Sequence, residues 1–183
     1  RDRSVSRGLG DVYKRQLFAF STSSSNATIP LNLETLERKC GVDEKVASFT
    51  IPLGATINMS GTAIMQGVAV VFVAQAFGID LSTSALMTVV ITAVTAAIGT
   101  AGVPGVGTIM LAMVFESVGL PAAGIAMIMG VDRILDMGRT AVNVTGDAVV
   151  TMCMASLTKT LDRNVFQSRN EDLIEEPAKA PSE

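Results

Sequence analysis

Six polar side chains between Asp132 and Asp147 stand at spacings that could do chemistry together, in the segment DRILDMGRTAVNVTGD. Wound as a helix at about 100° per residue with Asp132 at 0°, the segment places Asp136 at about 40°, Arg139 at about −20° and Thr140 at about 80°. Asn143 then falls at about 20° and Asp147 at about 60°. All six share an arc of about 100° along roughly 20 Å of helix. Ile134, Leu135, Met137, Ala141, Val142 and Val144 take the other side. An arginine among aspartates has a chemical reading. Guanidinium grips a carboxylate with two parallel hydrogen bonds. A carboxylate one turn away holds an ammonium, and the hydroxyl and amide of Thr140 and Asn143 fill the remaining positions. Those are the requirements of an acidic amino acid.

The solvated face of an amphipathic helix would show the same stripe, but the surroundings weigh against it. From Ser48 to Thr158 the charged residues are Asp80, Glu116, Asp132, Arg133, Asp136, Arg139 and Asp147. The 183-residue chain is 49% hydrophobic and 17% charged, with mean hydropathy +0.46, where a soluble domain carries about 25% charged residues. So apolar a middle is a membrane segment, since the chain is too short to bury it under soluble cover. Ionisable groups at membrane depth cost several kcal/mol unless they face protein or a water-filled cavity. The stripe therefore predicts a binding site or a hydrated pathway.

The elements that must position it are broken helices. Ser21 to Asn26 (STSSSN) is a small polar cluster that reads as a tight turn. The helix from Val46 meets the polar pentad Asn58-Met59-Ser60-Gly61-Thr62 and resumes from Ala63 to Phe77. Leu86 to Ile98 and Thr108 to Val118 flank the break GTAGVPGVG. Each is well short of the about 20 residues a span needs, so they read as a re-entrant hairpin meeting at a Gly/Pro tip. The expected divisions are a first hairpin over 17–41, an interrupted helix over 44–78, a second hairpin over 82–118 and a last helix over 120–156. Interrupted apolar segments in paired positions point to a transporter site near the midplane. The fold class expected is an all-α integral membrane protein with re-entrant hairpins.

The two ends differ from this middle. Residues 1–16 are polar and basic, have neither an initiator Met nor a signal-peptide pattern, and read as foreign or disordered, a basic juxtamembrane stretch being the alternative. Residues 159–183 read as a charged, disordered tail. Net charge −3 with no basic stripe excludes nucleic-acid binding. Histidine is absent, so imidazole triads, metal sites and proton relays are excluded. Cys40 and Cys153 are isolated and read as packing residues. GTAGVPGVG fails as a dinucleotide loop, because a Thr/Ala helix precedes it and Pro104 interrupts the spacing. No enzyme and no cofactor are expected.

Four motifs in order closely resemble the dicarboxylate/amino acid:cation symporter family, which includes the glutamate and aspartate transporters. They are Ser23 to Ser25, Asn58-Met59-x-Gly61-Thr62, Gly99 to Gly105, and Asp136-Met137-Gly138-Arg139-Thr140-x-x-Asn143-Val144-Thr145-Gly146-Asp147. The resemblance runs from about Leu17 to Ala155 and implies a partial transport core, preceded in the family by six helices that include a trimerising scaffold. It implies that Arg139 binds the substrate's distal carboxylate, Asp136 its amino group and Asn143 its main carboxylate, with Thr140 a further contact. Thr62 and the backbone around Ser24, Ser25, Val103 and Gly107 complete the implied pocket.

For cations, the resemblance implies Na+, with H+ as an alternative coupling ion. One site would join Asp147 to the carbonyls of Gly54, Asn58 and Asn143. A second would use carbonyls near Ala97, Ile98 and Thr100, with Thr56 opposite. Relatives that carry C4-dicarboxylates tend to lack the aspartate and threonine found here at Asp136 and Thr140, and neutral amino-acid relatives tend to lack the arginine. A glutamate or aspartate symporter of the cell membrane, homotrimeric in full, is therefore expected. A C4-dicarboxylate symporter, or a truncated chain without activity of its own, is the alternative. One departure stands out: Ser60 occupies a position where many members carry a sodium-binding aspartate.

Overall fold

The computed structural model describes residues 4–166, with side chains from residue 13 onward. Within them the chain is helical, and the one β-bridge joins Val42 to Leu161. The helices are α1 (Ser4–Thr22), α2 (Ser25–Cys40), α3 (Glu44–Ile57), α4 (Ser60–Ala76), α5 (Thr83–Ile98), α6 (Val106–Ser117), α7 (Gly124–Met129) and α8 (Asp132–Leu157).

Local chemistry sets the boundaries. The Ser24 hydroxyl caps α2 by accepting from the Ala27 amide, and Gly41 ends that helix at φ 69°, a left-handed turn that glycine adopts without strain. Asp43 caps α3 and Ser82 caps α5 in the same way. Asn58 (φ −96°, ψ 70°) and Met59 (φ −102°, ψ 46°) leave helical geometry, so α3 and α4 form one 33-residue apolar span broken by a short non-helical step. That span and the 26-residue α8 are long and apolar enough to cross a membrane.

α8 runs through the middle, against α1, α2, α3, α4 and α7. Leu36, Ala47, Ile51, Ala148 and Ala155 form one core between α2, α3 and α8. Val70, Val73, Val89, Leu111, Val114, Phe115 and Ile128 form a second around α4, α5 and α6. Outward-facing Ile64, Ile91, Ile109 and Ile134 are each more than 60% exposed, an apolar exterior that soluble proteins rarely carry. α1 and α2 make one helical hairpin, α5 and α6 a second. Their tips touch: the Ser24 hydroxyl (2.9 Å) and the Asn26 amide (3.2 Å) both donate to the Gly102 carbonyl. A Cβ at Gly102 would lie 2.7 Å from Asn26 Oδ1 and 3.0 Å from the Ala55 carbonyl, so only glycine permits this approach.

Several boundaries differ from those read in the sequence. α1 crosses the expected division at residue 16 without a break, and Gln16, the last residue before it, hydrogen-bonds Thr145 at 3.0 Å. The helix expected over 120–156 is two helices: α7 ends at Met129, and α8 begins at Asp132 after Gly130 and Val131. The tail does not leave the body at residue 159, because the Asp162 amide donates to the Gly41 carbonyl at 2.7 Å and Leu161 packs on the core beside α2. The rest of the expected disordered tail, 167–183, lies outside the described residues. Of the cysteines, Cys40 is buried and Cys153 is exposed, so only the first packs in a core.

Candidate functional site

The two hairpin tips, the α3–α4 break and the middle of α8 enclose one small polar cavity of about 10 Å³. Ser23, Ser25, Met59, Thr62, Thr100, Ala101, Gly102, Val103, Asp136, Arg139, Thr140 and Asn143 line it. The α8 residues reach it because α8 turns its polar arc inward: Asp136, Arg139, Thr140, Asn143 and Asp147 are all 6% exposed or less.

An ion pair dominates the site. Arg139 Nε donates to Asp136 Oδ1 at 2.8 Å, and Nη2 lies 2.6 Å from the same oxygen. The other Asp136 oxygen accepts the Gly105 amide at 2.8 Å, so this one carboxylate ties α8 to the second tip. Arg139 Nη1 is buried and has no hydrogen-bond partner. It lies against Gly107, where a Cβ would overlap it. Buried polar groups are almost always paired, and an orphaned guanidinium N–H beside a cavity is an open position for an anion.

Asn143 pins the helix break. Its Oδ1 accepts the Gly61 amide at 2.8 Å, and its Nδ2 faces Thr62 Oγ1 at 3.3 Å and Met59 Sδ at 3.1 Å. One turn further along α8, Asp147 accepts from Asn58 Nδ2 at 2.9 Å. Gly54 backs the same carboxylate so closely that a Cβ would sit 2.6 Å from Asp147 Oδ1. Asp147, Asn58 and Gly54 are thus brought together. The second expected cation group is not gathered by its side chains: Thr56 is exposed and donates to its own helix at the Pro52 carbonyl, 3.0 Å. Thr100 is buried and donates to the Ala96 carbonyl at 2.8 Å, Ala97 is buried, and Ile98 is 51% exposed. Ser24 takes the cap and tip-to-tip roles described above, without lining the cavity.

Three further residues bear on the site: Gln66, and Ser23 and Asp132, which belong to the first-tip motif and to the polar stripe but stand outside the expected pocket. Ser23 turns the first tip at φ 52°, and its buried hydroxyl is unpartnered at the cavity wall. Gln66 of α4 is fully buried; its Nε2 donates to the Gly107 carbonyl at 3.3 Å, while its Oε1 is unpartnered. Asp132 accepts a hydrogen bond from the hydroxyl of Thr108. The signals were present in part: a serine run at the first tip, and a lone amide in the apolar stretch AIMQGVAV.

The profile of the sodium:dicarboxylate symporter family matches residues 2–157. The chain belongs to that family. Membership makes this a membrane protein of a transporter family and not an enzyme. Among its relatives in the family, the chain is 47% identical over 143 residues to excitatory amino acid transporter 3 of Mus musculus, covering 78% of this chain and 27% of that protein. It is 45% identical over 143 residues to an excitatory amino acid transporter of Caenorhabditis elegans, covering 75% and 28%. With excitatory amino acid transporter 1 of Homo sapiens it is 39% identical over 165 residues, covering 90% and 30%. The chain therefore spans less than a third of the length of these relatives.

Proposed function

We propose that the protein carrying this chain is a cation-coupled symporter of an acidic amino acid, glutamate or aspartate, that works by alternating access. The observation that carries the reading is the buried Arg139 guanidinium with Nη1 unpartnered beside a cavity at the meeting of two hairpin tips. Arg139 binds the substrate's distal carboxylate bidentately, Asp136 its ammonium and Asn143 its main carboxylate, with Thr140, Thr62 and the tip backbone at Ser24, Ser25, Val103 and Gly107 closing around it. The α1–α2 and α5–α6 pairs are re-entrant hairpins, and the second is the extracellular gate. Sodium is the coupling ion, held at Asp147 with the carbonyls of Gly54, Asn58 and Asn143. A second ion is held by the carbonyls of Ala97, Ile98 and Thr100 with Thr56. The assembly is a homotrimer in the cell membrane.

A cavity of about 10 Å³ holds roughly one water and no amino acid. Substrate entry must therefore part Arg139 from Asp136 and lift the second tip, which exchanges one internal ion pair for two with the substrate. The printed names of the relatives, excitatory amino acid transporters, support this substrate class. The family description equally names dicarboxylates, for which Arg139 would suffice. Asp136 favours the amino acid, because a buried carboxylate facing a ligand without an ammonium would repel it.

The test is an uptake panel with the full-length protein in liposomes, supplying sodium or proton gradients in turn. Radiolabelled aspartate should accumulate against its gradient with sodium. Equal uptake of succinate and aspartate would reject the amino-acid assignment, and uptake driven equally well by protons alone would reject sodium coupling.

A further inference from the structure

We propose that Thr108 and Asp132 form a latch that sets how tightly the second hairpin tip closes over Arg139, making Thr108 a positioning residue for ligand retention. α6 starts at Val106 with no side-chain cap of its own, since its cap position is Gly105. The positive end of that helix is met instead by two α8 carboxylates one turn apart. Asp136 takes the Gly105 amide at 2.8 Å. Asp132 takes the Thr108 hydroxyl, 24 residues distant in sequence and nine-tenths buried. Negative charge is favourable at a helix N-terminus, and a hydrogen bond to an ionised acceptor is roughly twice as strong as a neutral one.

The two fasteners have different fates. Asp136 also carries the Arg139 pair, so under the proposed function it must release the tip when a substrate ammonium takes its place. Asp132 has no such duty: it can hold Thr108 throughout. The Thr108 bond and the Gln66 bond to the Gly107 carbonyl then fix the first turn of α6, with Gly107 against the guanidinium. Opening is confined to the segment before it, which is held through Gly102 and Gly105. Without the Thr108 hydroxyl, the α6 turn and the tip loosen together, and bound ligand leaves sooner.

The proposal rests on the substrate reading above, and its test separates the two. In the full-length protein, release of bound radiolabelled aspartate should be about tenfold faster in Thr108→Val, with the association rate unchanged, because one charge-assisted hydrogen bond is lost. Thr108→Ser, which keeps the hydroxyl, should release at the wild-type rate. Thr108→Val combined with Asp132→Leu should release no faster than the faster single variant. A second readout needs no substrate: in a protein whose sole cysteine is Thr100→Cys, a buried tip position, adding Thr108→Val should speed modification by a water-soluble thiol reagent. Wild-type release and wild-type labelling in Thr108→Val would overturn the latch, as would losses in the paired variants that multiply. Absence of aspartate binding in every variant, with labelling still accelerated, would overturn the substrate reading and leave the latch standing.

Discussion

Arg139 reaches back one turn of α8 to Asp136 and places Nε and Nη2 on the same carboxylate oxygen, at 2.8 and 2.6 Å, while Nη1 remains buried without an acceptor. The pair neutralises itself when the site is closed, which is how a charge of each sign can sit at 4% and 5% side-chain exposure. It is also unfinished, since one guanidinium edge points at nothing. An acidic ligand completes it. Arg139→Cys should therefore lose acidic substrates by roughly a hundredfold or more, because an unpaired buried carboxylate costs about 2–5 kcal/mol. It should admit neutral ones, which a competition panel of aspartate, glutamate and serine would read. Asp136→Ala should abolish amino-acid binding. Wild-type glutamate affinity in either variant would show that the polar face of α8 is not the site.

Gly107 has a separate role. A methyl group there would overlap the end of the Arg139 side chain, which supplies its three nearest atoms. Gly107→Ala should therefore melt within a few degrees of wild type yet hold aspartate at least tenfold more weakly, since the displaced guanidinium no longer meets Asp136. Calorimetric titration beside thermal unfolding separates the two effects. Equal losses of stability and affinity would mean the glycine serves packing alone.

The polar stripe of α8 was legible because a 3.6-residue period over a 26-residue helix leaves few ways to arrange Asp136, Arg139, Asn143 and Asp147. The hairpin tips were legible from serine and Gly/Pro runs, and the α3–α4 break from its polar pentad. The break between α7 and α8 was not, because Met129-Gly130-Val131 carries neither proline nor a polar cluster to mark it. Ser23 was passed over because its place on the cavity depends on a φ of 52° that no residue type announces. Thr108 and Asp132 meet only in the folded chain, 24 residues apart, and pairings at that separation have no local signature. Gln66 could have been found: an amide in the middle of an apolar run must bond something, and here it bonds the Gly107 carbonyl.

Gly54 and Asp147 give a prediction about the cation. The carboxylate is held by Asn58 Nδ2 at 2.9 Å and crowds the glycine so closely that an added Cβ would stand 3.0 Å from Asp147 Cγ. Gly54→Ala should push the carboxylate off Asn58 and disturb the neighbouring carbonyl together. Half-saturation of sodium-dependent uptake should move up by about tenfold, while aspartate affinity at saturating sodium stays near wild type. Sodium titrations at fixed aspartate would show it. An unchanged sodium dependence would place the coupling ion elsewhere.

Ser60 is the family departure, and the structure adds a reason to expect a double effect from restoring the carboxylate. Ser60 opens α4, is exposed, and lines an open apolar groove with Ala141, Thr145 and Gly146 of α8. α4 has no side-chain N-cap, and the acceptor that takes its first-turn Gly61 amide, Asn143 Oδ1, is neutral. An aspartate at this position meets the positive end of the helix and should stabilise it by about 0.3–1 kcal/mol even without sodium. It also replaces a neutral hydroxyl oxygen with a charged one, and hard cations bind charged oxygen more strongly. Ser60→Asp in the full-length protein should therefore raise the unfolding temperature slightly in sodium-free buffer. In sodium, it should steepen the dependence of substrate binding on sodium concentration. The two effects separate cleanly: a thermal gain without a steeper sodium curve means the aspartate acts only as a helix cap. A wild-type curve already as steep as that of the variant would show that other residues supply this ion's ligands.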